Sequence, residues 1–239
     1  MKKKSILVCG KGRWGKKVIK ELKKISKLIQ TIDSKKDYKK INLEYIDWVF
    51  ILTPNRSHFK LVNYFLSKKK NIFCEKPLCL TLKQAVFLIN KARKNKCKLY
   101  VSDIELYKNK KIQKTKVISV VRKKLVKGDN DEILNRLAYH DIYLLKDILE
   151  PINEIKIIKK KKKFSLEILI KKKNMKVFFN YNIKSNQKKH NINNINFQKF
   201  RGNPLNKMLV RVLKNKVNFY KNQNSALFCI KLINKIKRN

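Results

Sequence analysis

A glycine-rich turn, residues 10–15 (GKGRWG), follows an apolar run at residues 5–9 and precedes a segment whose apolar residues have helical spacing. In a G-x-G-x-x-G turn the first glycine permits a tight bend, the second lets the backbone approach a pyrophosphate, and the third lets helix and strand pack closely. Phosphates then bind at the helix N-terminus, where backbone N–H groups point outward. The turn predicts a dinucleotide site that includes Gly10, Gly12, Arg13, Trp14 and Gly15.

An acidic residue ends the next apolar run. Asp33 lies 18 residues after Gly15, about where a carboxylate holds the 2′-hydroxyl of an NAD ribose. Lys35 and Lys36 beside it could accommodate a 2′-phosphate, so Asp33 favours NAD while NADP stays open. The alternatives are a glycine turn retained only for packing and an aspartate that only forms a turn.

Apolar runs alternate with helical patterns through the first part of the chain, which predicts βαβ units and a parallel sheet. Strands are expected at 5–9, 28–32, 48–53, 71–74 and 98–102, with helices at 14–25, 57–67 and 81–94. Beyond residue 110 strands are expected at 116–121, 155–158, 164–170 and 175–181, with helices at 137–149, 206–214 and 225–236. The pattern predicts an α/β fold: a dinucleotide-binding domain at 1–110 and a smaller α+β domain with an open, mainly antiparallel sheet at 111–239, the boundary lying within 105–115.

The chain carries 62 Lys and Arg against 16 Asp and Glu, a formal charge of +46. Such a charge suggests nucleic acid, but only 8 of the 62 are Arg, the residue suited to bidentate phosphate and base contacts. The lysines are spread over the whole chain, as the codon usage of a genome rich in A and T would produce. The lysine runs 35–36, 68–70 and 159–163 are expected in solvated turns.

Cysteine usage and hydropathy indicate the compartment. Five cysteines are an odd number without a C-x-x-C pair, which favours a reducing compartment and argues against a structural metal. The apolar run at 6–9 is shorter than the roughly 7 residues of a signal-peptide core. No run reaches the roughly 18 residues that span a bilayer. We therefore predict a cytoplasmic protein without a membrane segment.

Two further turns carry a family resemblance. Residues 53–58 (TPNRSH) and 73–78 (FCEKPL) contain a T-P-N-x-x-H motif and an E-K-P motif, each at the end of a predicted strand. With the glycine turn they make the chain resemble the glucose-fructose oxidoreductase, inositol dehydrogenase and rhizopine-catabolism (Gfo/Idh/MocA) family. Gly202 to Leu205 and Asn224 to Ala226, each opening a predicted helix, are similar to the closing helices of that family.

The resemblance implies roles for individual residues. Lys76 would lie beside the nicotinamide and the substrate hydroxyl, where an ammonium stabilises a developing alkoxide. Asn55 and Glu75 would border the nicotinamide ribose, and His58 would cap or orient its turn. The implied cofactor-binding residues are Thr53, Pro54, Asn55, His58, Glu75 and Lys76, and the implied catalytic residues are Lys76 and His140.

The sequence departs from the family pattern in the second domain. His140 matches the histidine of a helical D-x-x-x-H motif, but Arg136 occupies the aspartate position. Asp129, Asp131, Glu132 and Asp141 are nearby acids that could substitute. The segment from 121 to 133 is short, and residues 101–103 lack a histidine that many members have. His190, among Lys188, Lys189 and Asn191, is expected in an exposed loop.

Three functions follow from these patterns. The first is an NAD(P)-dependent oxidoreductase that acts on a hydroxyl or keto carbon of a sugar, sugar derivative or cyclitol. The second, suggested by Arg136, is a catalytically impaired dinucleotide-binding homologue. The third is a basic nucleic-acid-associated protein, for which the charge is the sole support. The resemblance also implies self-association through the sheet of the second domain.

Overall fold

The computed structural model describes residues 3–33, 37–125 and 130–239 of the chain. The chain forms two units. Unit 1 comprises Met1–Ile104 and Asn203–Leu227, and unit 2 comprises Glu105–Gly202 and Phe228–Asn239. The sequence pattern predicts a single division near residue 110, whereas the chain returns to unit 1 for residues 203–227.

Unit 1 contains the predicted parallel sheet of the Rossmann type. Its strands are β1 (Ser5–Cys9), β2 (Lys27–Ile32), β3 (Trp48–Ile51), β4 (Asn71–Cys74) and β5 (Leu99–Val101), connected in part by helices α1 (Arg13–Ile25), α2 (Asn55–Ser67) and α3 (Leu82–Lys94). The strand order is β2-β1-β3-β4-β5, and all neighbours pair in parallel. The order reverses at β1 and β3, whose carboxyl ends therefore border the crevice where open α/β sheets bind ligands.

A row of buried aromatic rings crosses this sheet. Phe50 on β3, Phe73 on β4 and Tyr100 on β5 are register neighbours. The ring centroids of Phe50 and Phe73 are 4.6 Å apart, and those of Phe73 and Tyr100 are 5.7 Å apart. Stacked rings of this kind contribute about 0.5–1.5 kcal/mol per pair beyond the area they bury. The row holds the strands in register, and with them the turns at their carboxyl ends.

Side chains of a C-terminal helix cover the β5 edge of the sheet. Helices α7 (Pro204–Leu213) and α8 (Phe219–Arg238) close the chain, and the first part of α8 belongs to unit 1. The Asn222 amide accepts from the Val101 N–H and donates to the Val101 carbonyl, both at 2.8 Å, much as a neighbouring strand would. Gln223 donates to the Leu99 carbonyl at 3.0 Å. The edge therefore does not present a row of unpaired backbone groups.

Unit 2 contains a six-stranded mixed sheet. Its strands are β6 (Val117–Lys123), β7 (Lys156–Lys162), β8 (Ser165–Lys172), β9 (Met175–Asn182), β10 (Lys189–Ile192) and β11 (Ile195–Asn196), in the order β11-β10-β6-β9-β8-β7. β6 and β9 pair in parallel, and the other described neighbours are antiparallel. The mainly antiparallel sheet is the one predicted for the second domain.

Helical segments bury one face of this sheet. They are α4 (Asn130–Ile133), a π-helical turn (Leu134–Ala138), α5 (Tyr139–Leu144), α6 (Lys146–Leu149) and the last part of α8. Along β9, Val177, Phe179 and Tyr181 are buried while the residues between them are exposed. On the outward face Phe178 is 43% exposed and Ile158 on β7 is 47% exposed. The sheet thus presents an apolar strip on its uncovered side.

The structure corrects the expectation for one lysine run. Residues 159–162 do not form a turn but belong to β7, an edge strand of the sheet. Lysines on an edge strand discourage pairing with another chain. The ammonium of Lys159 also donates to the carbonyls of Ile236 and Lys237 at 2.9 Å and 3.3 Å, at the end of α8. The run 35–36 lies outside the described residues.

In the part of the chain that the structure describes, no helix is both long enough and apolar enough to cross a membrane.

Candidate functional site

Two glycines of the turn at 10–15 have no room for a side chain. Gly10 has a φ of +108°, and a Cβ there would lie 2.6 Å from the Leu52 carbonyl oxygen. A Cβ on Gly15 would lie 2.3 Å from the Gly10 carbonyl oxygen. Both contacts are with backbone atoms, which cannot move aside as a flexible side chain could. The tight bend and the close helix packing therefore require glycine at both positions.

Gly12 has the opposite environment. A Cβ on Gly12 would meet nothing within 4 Å, so the backbone faces open space at the start of α1. Among the described residues no side chain caps this helix, and its first turn contains no acidic residue. The first-turn N–H groups are thus available to an anion, whose charge the helix dipole favours. The turn fits a pyrophosphate, which a side chain at Gly12 would obstruct.

Asp33 follows β2 at the same end of the sheet. The Gly10 N–H donates to the Ile32 carbonyl at 2.8 Å, which holds the end of β2 against the glycine turn. The Asp33 carboxylate forms an exposed ion pair with Lys11 of the turn, 3.7 Å between Oδ2 and Nζ. Asp33 is therefore close enough to the turn to contact the same ligand. Lys35 and Lys36 lie outside the described residues.

The turn that follows β4 is held on both sides of Lys76. Glu75 accepts a hydrogen bond from the Trp14 indole Nε1 on α1 at 2.6 Å. Pro77 contacts His58 of α2 through its carbonyl oxygen, 2.8 Å from Nδ1. The residues before and after Lys76 are therefore tied to two other turns at the carboxyl ends of the strands. The sequence alone does not predict that Trp14 pairs with Glu75; it shows only that the glycine turn contains an indole N–H donor.

His58 links the T-P-N and E-K-P turns. Its Nε2 lies 2.9 Å from the Thr53 carbonyl oxygen, while Nδ1 contacts Pro77. Burial lowers the pKa of His58 below its usual value, although both carbonyls favour the protonated ring. The Ser57 hydroxyl donates to the Thr53 hydroxyl at 2.7 Å. Pro54 precedes α2, and Asn55 is its first residue.

In unit 2, His140 is half-buried in the first turn of α5, directly after the π-helical turn. Arg136 lies within that π-turn, where hydrogen bonds join residues five apart, so regular α-helical spacing does not place Arg136 and His140 on one face. The exposed Arg136 guanidinium pairs with Glu132 at 3.2 Å. Glu132 is therefore engaged by the arginine that replaces the expected aspartate. Asp129 lies outside the described residues.

The expectation of an exposed loop at His190 is wrong. His190 lies on β10 and is 4% exposed. Its Nε2 is 2.7 Å from the Asp141 Oδ1, and its ring lies 4.9 Å from that of Phe197. The flanking lysines concealed a short strand in which His190 and Ile192 alternate inward. That period of two was the one available signal.

Asp141 is the centre of a buried ionic cluster. It is 0% exposed and accepts from the Arg122 guanidinium at 3.0 Å as well as from His190. Arg122 also contacts Glu105 at 3.4 Å. Burial alone would raise the pKa of the Asp141 carboxyl, but Arg122 and His190 together hold it below its usual value. Asp141 is thus fully buried and paired with Arg122 and His190 within this cluster.

Comparison with known protein families supports the resemblance seen in the turns. Residues 23–103 match the Gfo/Idh/MocA family model, described as an oxidoreductase family with an NAD-binding Rossmann fold. A stretch of 55 residues is 44% identical to YgjR of Escherichia coli strain K12, an uncharacterized oxidoreductase. That stretch is 23% of this chain and 17% of the E. coli protein.

Solved structures share the fold over nearly the whole chain. UDP-N-acetylglucosamine 3-dehydrogenase GnnA from Acidithiobacillus ferrooxidans aligns with a TM-score of 0.82 at 12% identity, covering 100% of this chain and 98% of that one. An NAD-binding protein from Listeria innocua gives 0.76 at 14% identity, covering 99% and 94%. GenD2 from gentamicin A biosynthesis, solved with NAD, gives 0.75 at 11% identity, covering 100% and 94%. At these identities the likeness establishes the fold.

Proposed function

We propose that the protein is an NAD(P)-dependent dehydrogenase, because residues 23–103 match the model of the Gfo/Idh/MocA oxidoreductase family. It transfers hydride between the nicotinamide and a hydroxyl or keto carbon of a sugar, sugar derivative or cyclitol. The observation that carries the proposal is that both neighbours of Lys76 are held by hydrogen bonds, beside a turn that fits a pyrophosphate. Trp14 binds Glu75, and His58 binds the Pro77 carbonyl.

The dinucleotide would be held by unit 1. The N–H groups at the start of α1 and the open backbone of Gly12 would receive the pyrophosphate. Asp33 would accept hydrogen bonds from the adenosine ribose, which favours NAD over NADP. Asn55 and Glu75 would border the nicotinamide ribose. When bound, the nicotinamide supplies hydride chemistry, and the protein supplies orientation and charge.

Lys76 and His140 are the proposed catalytic residues. The Lys76 ammonium would stabilise the negative charge that develops on the substrate oxygen as hydride leaves its carbon. His140 is proposed, from the family resemblance, as the group that exchanges a proton with the substrate. Trp14 and His58 are positioning residues, since they bind the neighbours of Lys76 and not the reacting atoms.

The substrate class is part of the proposal. GnnA, whose fold this chain shares, is by name a dehydrogenase of a nucleotide-linked sugar. The family resemblance supports a sugar-like substrate in general.

We also propose that two copies associate through the apolar strip on the outward face of the unit 2 sheet, where Phe178 and Ile158 are exposed. Sedimentation of the wild type and of Phe178→Lys checks this association.

A substitution of Lys76 tests the dehydrogenase assignment. Lys76→Ala should reduce turnover on polyols and sugars by about 10²–10³-fold, while NADH affinity changes little. Lys94→Ala, which removes an exposed lysine at the end of α3, is the matched control and should keep full turnover. NADH binding is measured by nicotinamide fluorescence at physiological and high salt, with ATP as an anionic competitor. Equal turnover in both variants would contradict the assignment of Lys76.

The second candidate is a homologue that binds dinucleotide without turnover. The observation that favours it is Arg136, which pairs with Glu132 where the family pattern has a carboxylate. It predicts salt-resistant NADH binding in the wild type and no turnover on any substrate tested. Arg136→Asp separates the two candidates, because a gain of turnover would show that the remaining residues are competent. NADH binding that vanishes with salt would contradict both.

A further inference from the structure

Unit 2 contains a surface pocket of about 660 Å³ that the proposed function does not use. It lies between residues 108–110 and residues 198–201. Four cationic side chains, one aromatic ring and two side-chain amides line it, and the lining includes no carboxylate. Its volume is within the range of small-molecule sites. The cationic residues are Lys108, Lys110, Lys199 and Arg201, and the ring is that of Phe200.

One of these cations is already part of the structure. The Lys108 ammonium pairs with Glu105 at 2.7 Å and donates to the Phe197 carbonyl at 2.9 Å. It also lies 5.0 Å from the centroid of the Phe200 ring, within the range of a cation–π contact. Lys108 is thereby fixed, and it holds the Phe200 ring while 40% of that residue remains exposed.

The other three cations remain available to a ligand. Within the described residues, no ion pair involves Lys110, Lys199 or Arg201. Three uncompensated charges around one cavity attract an anion with more than one negative charge. Lysine and arginine donate charge-assisted hydrogen bonds to phosphate oxygens, and arginine can do so with two parallel bonds.

The aromatic ring defines the rest of the ligand. A partly exposed ring beside phosphate-binding cations is suited to stacking with a nucleobase, which has a π-face whatever its identity. The cavity is also larger than a lone phosphate would fill. We propose that this pocket binds a nucleoside diphosphate group, either free or carried by a sugar, separately from the dinucleotide turn of unit 1.

A second lysine-lined cavity of unit 2 lacks the features that distinguish the pocket at Phe200. That cavity, of about 440 Å³, is bordered by residues 114–116 and 172–175 together with Ile148, and has no aromatic lining. Two of its lysines already have partners. Lys172 donates to the Glu150 carbonyl, and Lys173 lies 3.9 Å from the Glu154 carboxylate. The pocket at Phe200 is distinguished by its ring and by its uncompensated cations.

The inference goes beyond hydride transfer and does not require it. Binding to this pocket can be measured without turnover, so its failure leaves the assignment of Lys76 untouched. Conversely, loss of NADH binding in unit 1 would leave the pocket in unit 2 unaffected.

The test uses the full chain and calorimetric titration with UDP, ADP, inorganic pyrophosphate and UDP-N-acetylglucosamine at physiological salt. Arg201→Gln and Lys199→Gln should each lower UDP and ADP affinity by about tenfold. Phe200→Ala should lower nucleoside diphosphate affinity and leave pyrophosphate affinity unchanged. Lys160→Gln and Lys162→Gln remove exposed lysines of β7 as matched controls, and their affinities should stay within about twofold. All variants should retain wild-type NADH affinity and thermal unfolding.

Four results would overturn the proposal. Equal losses in the β7 controls would mean that net charge alone attracts the nucleotide. Displacement of UDP by NADH, with both lost in Gly12→Ala, would place the binding at the glycine turn. Equal affinity for pyrophosphate and UDP would mean that the pocket does not bind the base. Tighter binding of single-stranded RNA, lost in the same pocket variants, would make the site a nucleic-acid surface. Tighter binding of the nucleotide sugar than of UDP supports a sugar-linked ligand.

Discussion

The polar centres of the two units are stabilised in different ways. In unit 1 the candidate site is built on backbone groups: a glycine turn, uncapped helix N–H groups and carbonyls that bind His58. In unit 2 Arg122, Asp141, Glu105 and His190 form a cluster of side chains that are each at most 12% exposed. The first centre leaves donors for a ligand, whereas in the second the charged side chains pair with one another.

This difference separates function from stability. A buried charge that loses its partner is costly, because water does not replace the lost interaction. A turn that faces solvent can lose a ligand contact without unfolding. We therefore expect substitutions in the unit 2 cluster to act mainly on folding. In unit 1, substitutions that place a side chain against the backbone should lower stability, whereas those that place it in open space should affect ligand binding.

The largest expected effect is at Asp141. Asp141→Ala leaves the buried Arg122 without its closest carboxylate, and should lower the free energy of unfolding by about 3–5 kcal/mol. Glu132→Ala breaks the exposed pair with Arg136 and should cost about 0.5 kcal/mol or less. Urea unfolding of both variants measures the difference. Similar losses in the two would contradict the contrast between buried and exposed pairs.

Two glycines give the next effect within a single turn. Gly15→Ala places a Cβ against the Gly10 carbonyl oxygen and should destabilise unit 1 by about 3 kcal/mol. Gly12→Ala meets open space and should change stability by less than about 1 kcal/mol while weakening NADH binding. Thermal unfolding and fluorescence titration separate the two outcomes. Equal destabilisation would show that Gly12 is required for packing and not for a ligand.

The Trp14 indole provides a smaller test. Trp14→Phe keeps the ring but removes the donor to Glu75, and should cost about 1.5–2 kcal/mol of turnover activation free energy if Glu75 holds the Lys76 turn. The loss should appear in kcat more than in NADH affinity. Trp48→Phe, which changes a buried indole away from these turns, is the comparison. A loss confined to NADH affinity would make Trp14 a cofactor contact and not a positioning residue.

Acid should weaken the two centres in different pH windows. The folded-state pKa of His58 lies below its unfolded value of about 6.5, so its stabilising contribution is present above that pH and declines as pH falls through it. The lowered pKa of Asp141 places the corresponding loss below about pH 3.9. Unfolding free energies measured from pH 8 to 3 should fall less steeply below pH 6.5 in His58→Gln. In Asp141→Asn the unfolding free energy should fall less steeply than in the wild type only below about pH 4. A pH dependence identical to that of the wild type in either variant would contradict the role given to that residue.

Local patterns predicted unit 1 well. Apolar runs and helical spacing placed every strand of the parallel sheet within a few residues. The prediction succeeded because strand period, helix period and glycine sterics act over a few neighbouring residues. The lysine-rich second half was harder, since exposed lysines conceal the inward alternation of short strands. β10 was missed for this reason, whereas β11 has only two residues, too few to show a period. Helix α8 begins six residues earlier than its apolar spacing suggested.

The sequence by itself determined the Rossmann sheet, the glycine turn and the two motifs at the ends of β3 and β4. Only the tertiary structure decided what those motifs touch. Trp14 reaches Glu75 across 61 positions, Asn222 reaches Val101 across 121, and His190 reaches Asp141 across 49. Such pairings depend on where the folded backbone brings distant segments together. The spacing of polar residues along the sequence does not predict which of them will form hydrogen bonds with each other. Buried charge must be paired, but the partner is chosen by packing.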